Sequence, residues 1–282
     1  MKLKFKHNRV PNGVLHQKGE VGYIKFPALE QIEFIRHGFS TRLGGVSEGE
    51  CSSMNLSYAR GDQKENVDEN YKRICAALDM DVEKLVLSDQ VHDTVVYHAR
   101  EEDVQGKELE TKKLQAIDGL VTDTRGIVLC TSYADCVPLF FVDTKQKAIG
   151  LSHSGWRGTV GKMGQKTVEK MKQEFGTDPK DIIAVIGPSI CQDCYEVSED
   201  VADEFVKILD ETQLKTVFDK KGNGKYQLNL WEANRYILMG AGVPEKNITV
   251  SNVCTCCNSD ILFSHRKTNG RRGNLCGFLQ II

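Results

Sequence analysis

A mixed α/β fold is what this chain of 282 residues predicts, on three observations. Continuous apolar runs at 127–133 (I-V-L-C-T-S-Y) and 148–153 (A-I-G-L-S-H) have the length and content of strands covered on both faces. Apolar residues at helical spacing follow such runs, as in Val160, Met163, Val168, Met171 and Phe175. The two patterns alternate irregularly, with several strand-to-strand steps and no repeat, low-complexity tract or linker. One α/β (α+β mixed) domain over 1–282 is therefore expected rather than two.

Composition narrows the function classes. Hydrophobic residues make up 40% and charged residues 27% of the chain, values of an ordinary globular protein. A formal net charge of −2 without any lysine or arginine block argues against a nucleic-acid surface. The N-terminus is basic but no apolar core follows it, so it is not read as a secretory signal, and no apolar run approaches a membrane span. A cytoplasmic protein with reduced thiols is expected, and its ten cysteines point to metal-bound, catalytic or buried thiols rather than disulfides.

Taken in order, residues 1–37 read as short strands, 21–26 and 32–35 being the clearest. The segment 38–49, G-F-S-T-R-L-G-G-V-S-E-G, is a glycine-rich loop holding Arg42. It is either a surface connection or a backbone-donor loop that receives an anion with Arg42 as its charged anchor. Val67, Tyr71, Ile74, Cys75 and Leu78 predict a helix, with Asn66 and Glu69 as its capping box and Cys75 as a core residue. Strands are expected at 85–87, leading to S-D-Q-V-H-D and His92, at 94–98, and at 116–123; residues 101–115 read as an exposed, charged excursion. Beyond the central strands, 182–186 predicts a buried strand, Ser198 an N-cap, 230–239 a helix, 248–250 a strand and 275–282 the last strand.

Chemistry concentrates where the central strands end. The first runs into Ala134-Asp135-Cys136, and Pro138 limits hydrogen bonding where the next apolar run begins. The second ends in H-S-G-W-R-G at His153. A thiol and an imidazole thus stand at strand ends, where open sheets place their ligand sites. Together with His92 they could form a Cys-His-His metal site with one position open, suited to zinc or copper. A satisfied core histidine and an inert cysteine remain the alternative reading of the same residues. Other motifs fall away. Residues 155–162 only faintly resemble a phosphate loop, and no G-x-G-x-x-G, H-x-E or G-x-S-x-G occurs where it would be needed. Cys191-x-x-Cys194 and Cys254-x-Cys256-Cys257 suggest a structural zinc, but the second group is read as lacking the two-residue spacer of a zinc ribbon, and no histidine has finger spacing. Those thiols are read as buried or incidental.

The pieces G-F-S-T-R-x-G-G-V-S (38–47), M-N-L-S (54–57), G-D (61–62), Q-V-H (90–92), A-D-C-V-P (134–138), H-S-G-W-R-G (153–158), I-G-P-S-I (186–190), Y-E-V (195–197), C-T (254–255) and F-S-H-R (263–266) follow one another along nearly the whole chain. In this order they resemble the YfiH-like family, also called the laccase-domain or multicopper polyphenol oxidoreductase family. The resemblance implies two mixed sheets between helical layers, similar to the catalytic domain of cytotoxic necrotizing factor toxins. It also implies Zn2+ held by the residues matching His92, Cys136 and His153. Ser154 and Asn274 depart from the family pattern, relatives often having alanine and arginine there; Arg271 or Arg272 is expected to replace the missing arginine.

The family name suggests an oxidase, but seven histidines with no H-x-H are too few for several coppers. The resemblance implies instead purine nucleoside phosphorolysis of adenosine, inosine and methylthioadenosine, with adenosine deamination as a second activity. In that reading Arg42 and Arg157 bind phosphate, while Asn55, Asp62 and Asp135 are candidates for contacts to the nucleoside or for support of the metal. Two rivals stay open: a metal-free hydrolase with Cys136 as nucleophile and His153 as base, and a non-catalytic binding protein. No protein partner is indicated.

Overall fold

The run 127–133 becomes the strand Val128–Tyr133, and its neighbours explain why it is apolar throughout. In this computed structural model, which describes residues 2–5 and 10–282, it lies inside a seven-stranded sheet. The order is Val14–Lys18, Val21–Lys25, Ile35–Ser40, Leu275–Ile281, Val128–Tyr133, Leu85–Asp89 and Leu114–Gln115. Val128 and Cys130 face a core shared with the helix Lys64–Ala77, whereas Leu129 and Tyr133 face the second sheet. The part of the N-terminal strand expectation that falls on residue 1 and residues 6–9 lies outside the described residues.

The second sheet has six strands: Ile248–Val250, Ile182–Ile186, Val137–Asp143, Ala148–Ser154, Gly119–Thr122 and Val96–His98. Its central strand shows the same logic. Val137, Leu139 and Phe141 pack toward the helices Met163–Phe175 and Leu230–Gly240, while Phe140 and Val142 pack toward the first sheet. Period-two alternation with both faces buried yields one unbroken apolar segment. Truncating Phe140 to alanine at this fully buried position would cost about 3–5 kcal/mol. Gly277 lets the sheets approach, since a Cβ there would stand 3.1 Å from the Phe140 ring.

The fold is thus mixed α/β, two large sheets face to face with helices outside them. A third sheet of three strands, Glu196–Ser198, Lys225–Leu228 and Phe218–Gly222, adds to the expected two. The helix expected to start at a capping box of Asn66 and Glu69 begins at Lys64 with Gln63 as N-cap. Asn66 instead donates to the Asp62 carboxylate at 3.4 Å. A helix at Glu211–Val217, capped by Asp210 through the N–H groups of Thr212 and Gln213, breaks a stretch the sequence left unassigned. The 101–115 excursion is ordered rather than loose. Gln105 and Leu109 are buried, and the Gln105 amide donates to the carbonyls of Glu108 and Thr111 while accepting from Lys113 N–H.

Candidate metal centre and the cavity around it

Two sheets meet where Val128–Tyr133 ends and Ala148–Ser154 ends, and the chain turns sharply at Asp135 to join them. Asp135 has φ +84°, a left-handed conformation strained for a non-glycine residue. The turn is held on three sides: Thr255 Oγ1 donates to Oδ1 at 2.6 Å, Arg266 N–H donates to Oδ2 at 2.7 Å, and Ile190 N–H donates to the Asp135 carbonyl at 3.0 Å. These bonds fix the direction of the next residue, Cys136. His153 is the second-last residue of its strand and is paired opposite Pro138, so the sheet register sets its position relative to Cys136.

His92 is placed by a carboxylate that belongs to no sequence motif. The N–H groups of Val91, His92 and Asp93 donate to Asp118 at 2.9, 3.0 and 3.1 Å, folding the 90–93 segment around it, with His92 at φ +64°. Asp118 Oδ1 also pairs with His153 Nδ1 at 2.8 Å. With Nδ1 engaged, His153 presents Nε2 toward the thiol, the orientation a metal-binding imidazole needs. The ligand atoms of His92, Cys136 and His153 all lie within 4.8 Å of one another, and the two rings meet edge to face at 4.8 Å and 82°. Gly155 closes the floor, where an added Cβ would fall 2.9 Å from the Cys136 sulfur.

Charge within the trio is tightly linked. Burial alone would raise the Cys136 thiol, yet the facing His153 and His92 draw its pKa down to about 6. Burial would lower His153, but Cys136 and Asp118 raise it to about 9. Burial likewise opposes ionisation of Asp118, and the bonds from His153 and the backbone N–H groups overcome it, leaving its pKa below the usual carboxylate value. The two imidazoles thus favour the thiolate, the form that binds metal or attacks an electrophile.

A cavity of about 540 Å³ opens over these three residues, a size suited to a small organic ligand. Its wall includes Arg60, Gln90, Lys112, Arg272 and Asn274. Arg272 is buried, its Nε finds no partner among the described residues, and burial together with Arg60 lowers its pKa to about 10. Arg60 and Arg272 both donate to Asn274 Oδ1, so two guanidinium groups converge on one side of the cavity. Arg272 thus stands where the missing family arginine was to be replaced; Arg271 is exposed and pairs with Glu50 at 3.5 Å.

The other expected site residues are placed differently. Arg42 is absent from the cavity wall: its Nε and NH1 donate to the carbonyls of Ser52 and Ser259 at 2.7 and 3.1 Å, and its guanidinium lies over Phe263. Those bonds turn the anchor of the glycine-rich loop inward, to packing. Arg157 is exposed, stacks on Trp156 and is likewise outside the wall. Asn55 is fully buried; its amide donates to Asp62 and Ser57, and its Oδ1 accepts from the N–H groups of Ser57 and Asn274. Asn55 and Asp62 therefore brace Asn274 from behind, and Asp135 braces Cys136. Ser154, the other family departure, is satisfied by Asn234 and Thr159. Asp118 and Arg60 are the residues sequence reasoning missed. Asp118 has no local signal, because only the pairing of Gly119 with Ser152 brings it beside His153.

These features agree with what the chain is similar to. The family described as multi-copper polyphenol oxidoreductase laccase matches residues 36–282. The chain belongs to this family. A relative from Bacillus subtilis, purine nucleoside phosphorylase YlmD, is 36% identical over 245 residues, covering 86% of this chain and 87% of its own. Adenosine deaminase RL5, from an unknown prokaryotic organism, is 34% identical over 247 residues, covering 85% and 93%. The crystal structure of YlmD from Geobacillus stearothermophilus superposes with a TM-score of 0.88 at 31% identity, covering 95% of this chain and 99% of that one. Family members with enzyme names thus match 86% and 85% of this chain, and the His-Cys-His group lies within the region the family model matches.

Proposed function

We propose that the chain is a purine nucleoside phosphorylase acting on adenosine, inosine and methylthioadenosine, with adenosine deamination as a second reaction, in the cytoplasm. The observation that carries the proposal is the convergence of His92, Cys136 and His153 at the base of a cavity whose wall bears Arg60 and Arg272. The names of the relatives support the same activities. Two imidazoles, one thiolate and a carboxylate behind one of the imidazoles fit zinc with an open fourth position. The site has two histidines, fewer than a group of coppers would require, so polyphenol oxidation has the weaker support.

When bound, zinc would supply Lewis acidity and a water acidic enough to act near neutral pH. The protein's own part follows from its geometry. Arg60 and Arg272 receive the phosphate dianion, neutralise it and aim one oxygen at C1′ of the ribose. The bond from C1′ to the purine nitrogen then breaks, its electrons leaving with the base, which takes up a proton as ribose 1-phosphate forms. In deamination, water replaces the amino group at C6 and ammonia leaves. The Asp118–His153 pair keeps the imidazole in one orientation throughout.

Purified protein given adenosine and phosphate should release adenine and ribose 1-phosphate, and without phosphate should give inosine only. Arg60→Ala and Arg272→Ala should each raise KM for phosphate at least tenfold, whereas Arg42→Ala should lower stability by about 1–3 kcal/mol and leave that KM unchanged. Absence of both products, with metal loaded, overturns the proposal.

A second reading draws on the low thiol pKa and the Cys136–His153–Asp118 chain: a metal-free cysteine hydrolase. Iodoacetamide separates the two. In the zinc reading Cys136 is protected in native protein and labelled after chelation; rapid labelling of untreated protein at Cys136 sinks that reading and favours the hydrolase.

A further inference from the structure

Behind Asp135, two loops carry four cysteines whose role the cavity does not explain. Cys191 and Cys194 bracket a single turn after the strand Ile182–Ile186, and Cys254 and Cys257 lie in the turn after Ile248–Val250. Read as a run of three, Cys254, Cys256 and Cys257 show no two-residue spacer. Paired across Thr255 and Cys256, however, Cys254 and Cys257 form a C-x-x-C, the match of Cys191-x-x-Cys194. The structure brings the two pairs together, and the second group does have the two-residue spacer that it was expected to lack. Because the strands Ile182–Ile186 and Ile248–Val250 run parallel side by side, both pairs emerge at the same end of the sheet.

The four sulfurs lie within 4.8 Å of one another, with Cys194 to Cys257 at 3.5 Å and Cys191 to Cys257 at 3.9 Å. None of the four is in a disulfide. Zinc–sulfur bonds of about 2.3 Å in a tetrahedron put the sulfurs about 3.8 Å apart, close to these separations. An iron–sulfur cluster interposes several atoms between its thiolates and needs a wider frame. The N–H groups of Cys191 and Cys257 donate to the Cys254 sulfur at 3.3 and 3.4 Å, the support a buried thiolate requires. Cys191 and Cys254 are buried and Cys194 and Cys257 half-buried, so the group is enclosed and offers no open ligand position.

We propose that Cys191, Cys194, Cys254 and Cys257 hold a structural zinc ion, separate from the His92, Cys136 and His153 group. Four donors and no vacant position make it a staple rather than a reaction centre. It ties together the two loops that grip the strained turn before Cys136, through Ile190 N–H on one side and Thr255 Oγ1 on the other. Without the ion the loops are joined by the bridge of Ser189 with Cys254, made by Ser189 N–H to the Val253 carbonyl and Thr255 N–H to the Ser189 carbonyl, and by Cys191 N–H to the Cys254 sulfur. The proposal does not depend on any reaction at Cys136.

Metal analysis of three full-length proteins, purified under reducing conditions, tests it. The unaltered chain should hold about two zinc ions, the His92→Ala/Cys136→Ser chain about one, and the Cys194→Ser/Cys257→Ser chain one fewer than the unaltered chain. If the cavity group holds no zinc, the unaltered chain and the His92→Ala/Cys136→Ser chain should both hold one, so failure of the functional reading is distinguishable from failure of this one. A zinc-free His92→Ala/Cys136→Ser chain overturns the staple. Because the serine variant can fail to fold, the His92→Ala/Cys136→Ser chain is also loaded with cobalt, which should show the intense visible bands of a tetrahedral tetrathiolate. Absence of those bands, iron in place of zinc, or two disulfides among these four cysteines in the denatured protein overturns the proposal.

Discussion

Asp118 shows how much one buried carboxylate can organise. It accepts three successive backbone N–H groups and one imidazole N–H, so it shapes the His92 loop and fixes the His153 ring together. An amide has one acceptor oxygen in place of two and cannot satisfy the same four donors. Asp118→Asn should therefore weaken zinc binding at the cavity about 10–100-fold while the protein stays folded. Competition with a chromophoric chelator measures this, and unchanged affinity would mean that Asp118 serves only the loop. Arg42 teaches the converse. A lone arginine in a glycine-rich loop reads equally as an anion anchor or a packing residue, and only the carbonyls of Ser52 and Ser259 decide for packing.

Among the elements, the charged segment 101–115 departs furthest from its sequence appearance. Glutamates and lysines suggest a solvated excursion, yet Glu110, Thr111 and Lys112 form part of the cavity wall. The segment stays in place because Gln105 makes three hydrogen bonds within it and Leu109 inserts into the core beside Tyr71 and Cys276. Gln105→Ala leaves two carbonyls and one N–H without that partner and should loosen the segment without unfolding the sheets. Cleavage by a protease between residues 105 and 113 should speed up, and KM for nucleoside should rise with little change in kcat. Equal protease resistance in the variant and the parent would show that the wall is held by something else.

For the whole molecule, His37 makes stability depend on pH. It is buried, accepts the Phe26 N–H at 3.0 Å and stacks on the Phe26 ring. Burial, then Lys25 and His16, lower its pKa from 6.5 to about 3. Between those values the unfolded chain takes up a proton that the folded chain refuses. The stabilising contribution is complete above pH 6.5 and is lost as the pH falls toward 3, at about 1.4 kcal/mol per pH unit. Relative to pH 7, this residue alone should remove about 2 kcal/mol by pH 5. His37→Gln keeps an acceptor for Phe26 but cannot be protonated. Urea unfolding at pH 7 and pH 5 should show a smaller difference for the variant, and equal differences would dismiss His37 as the cause.

The sequence by itself determined which segments are buried strands, which positions face helices, and which residue types stand at strand ends. Those properties depend on periods of two and 3.6 residues, and a period is visible in a string of letters. In this way 127–133, 148–153 and 182–186 were legible as strands, while His92, Cys136 and His153 stood out by their chemistry at strand ends and by the family resemblance. Tertiary structure alone decided partnership. Asp118 joins His153 because two antiparallel strands align Gly119 with Ser152, and Arg272 enters the cavity because Leu275–Ile281 lies beside Val128–Tyr133. Cys191 meets Cys257 because two parallel strands end level with each other. Contacts between residues tens or hundreds of positions apart follow from sheet order and register, and neither leaves a periodic trace along the chain.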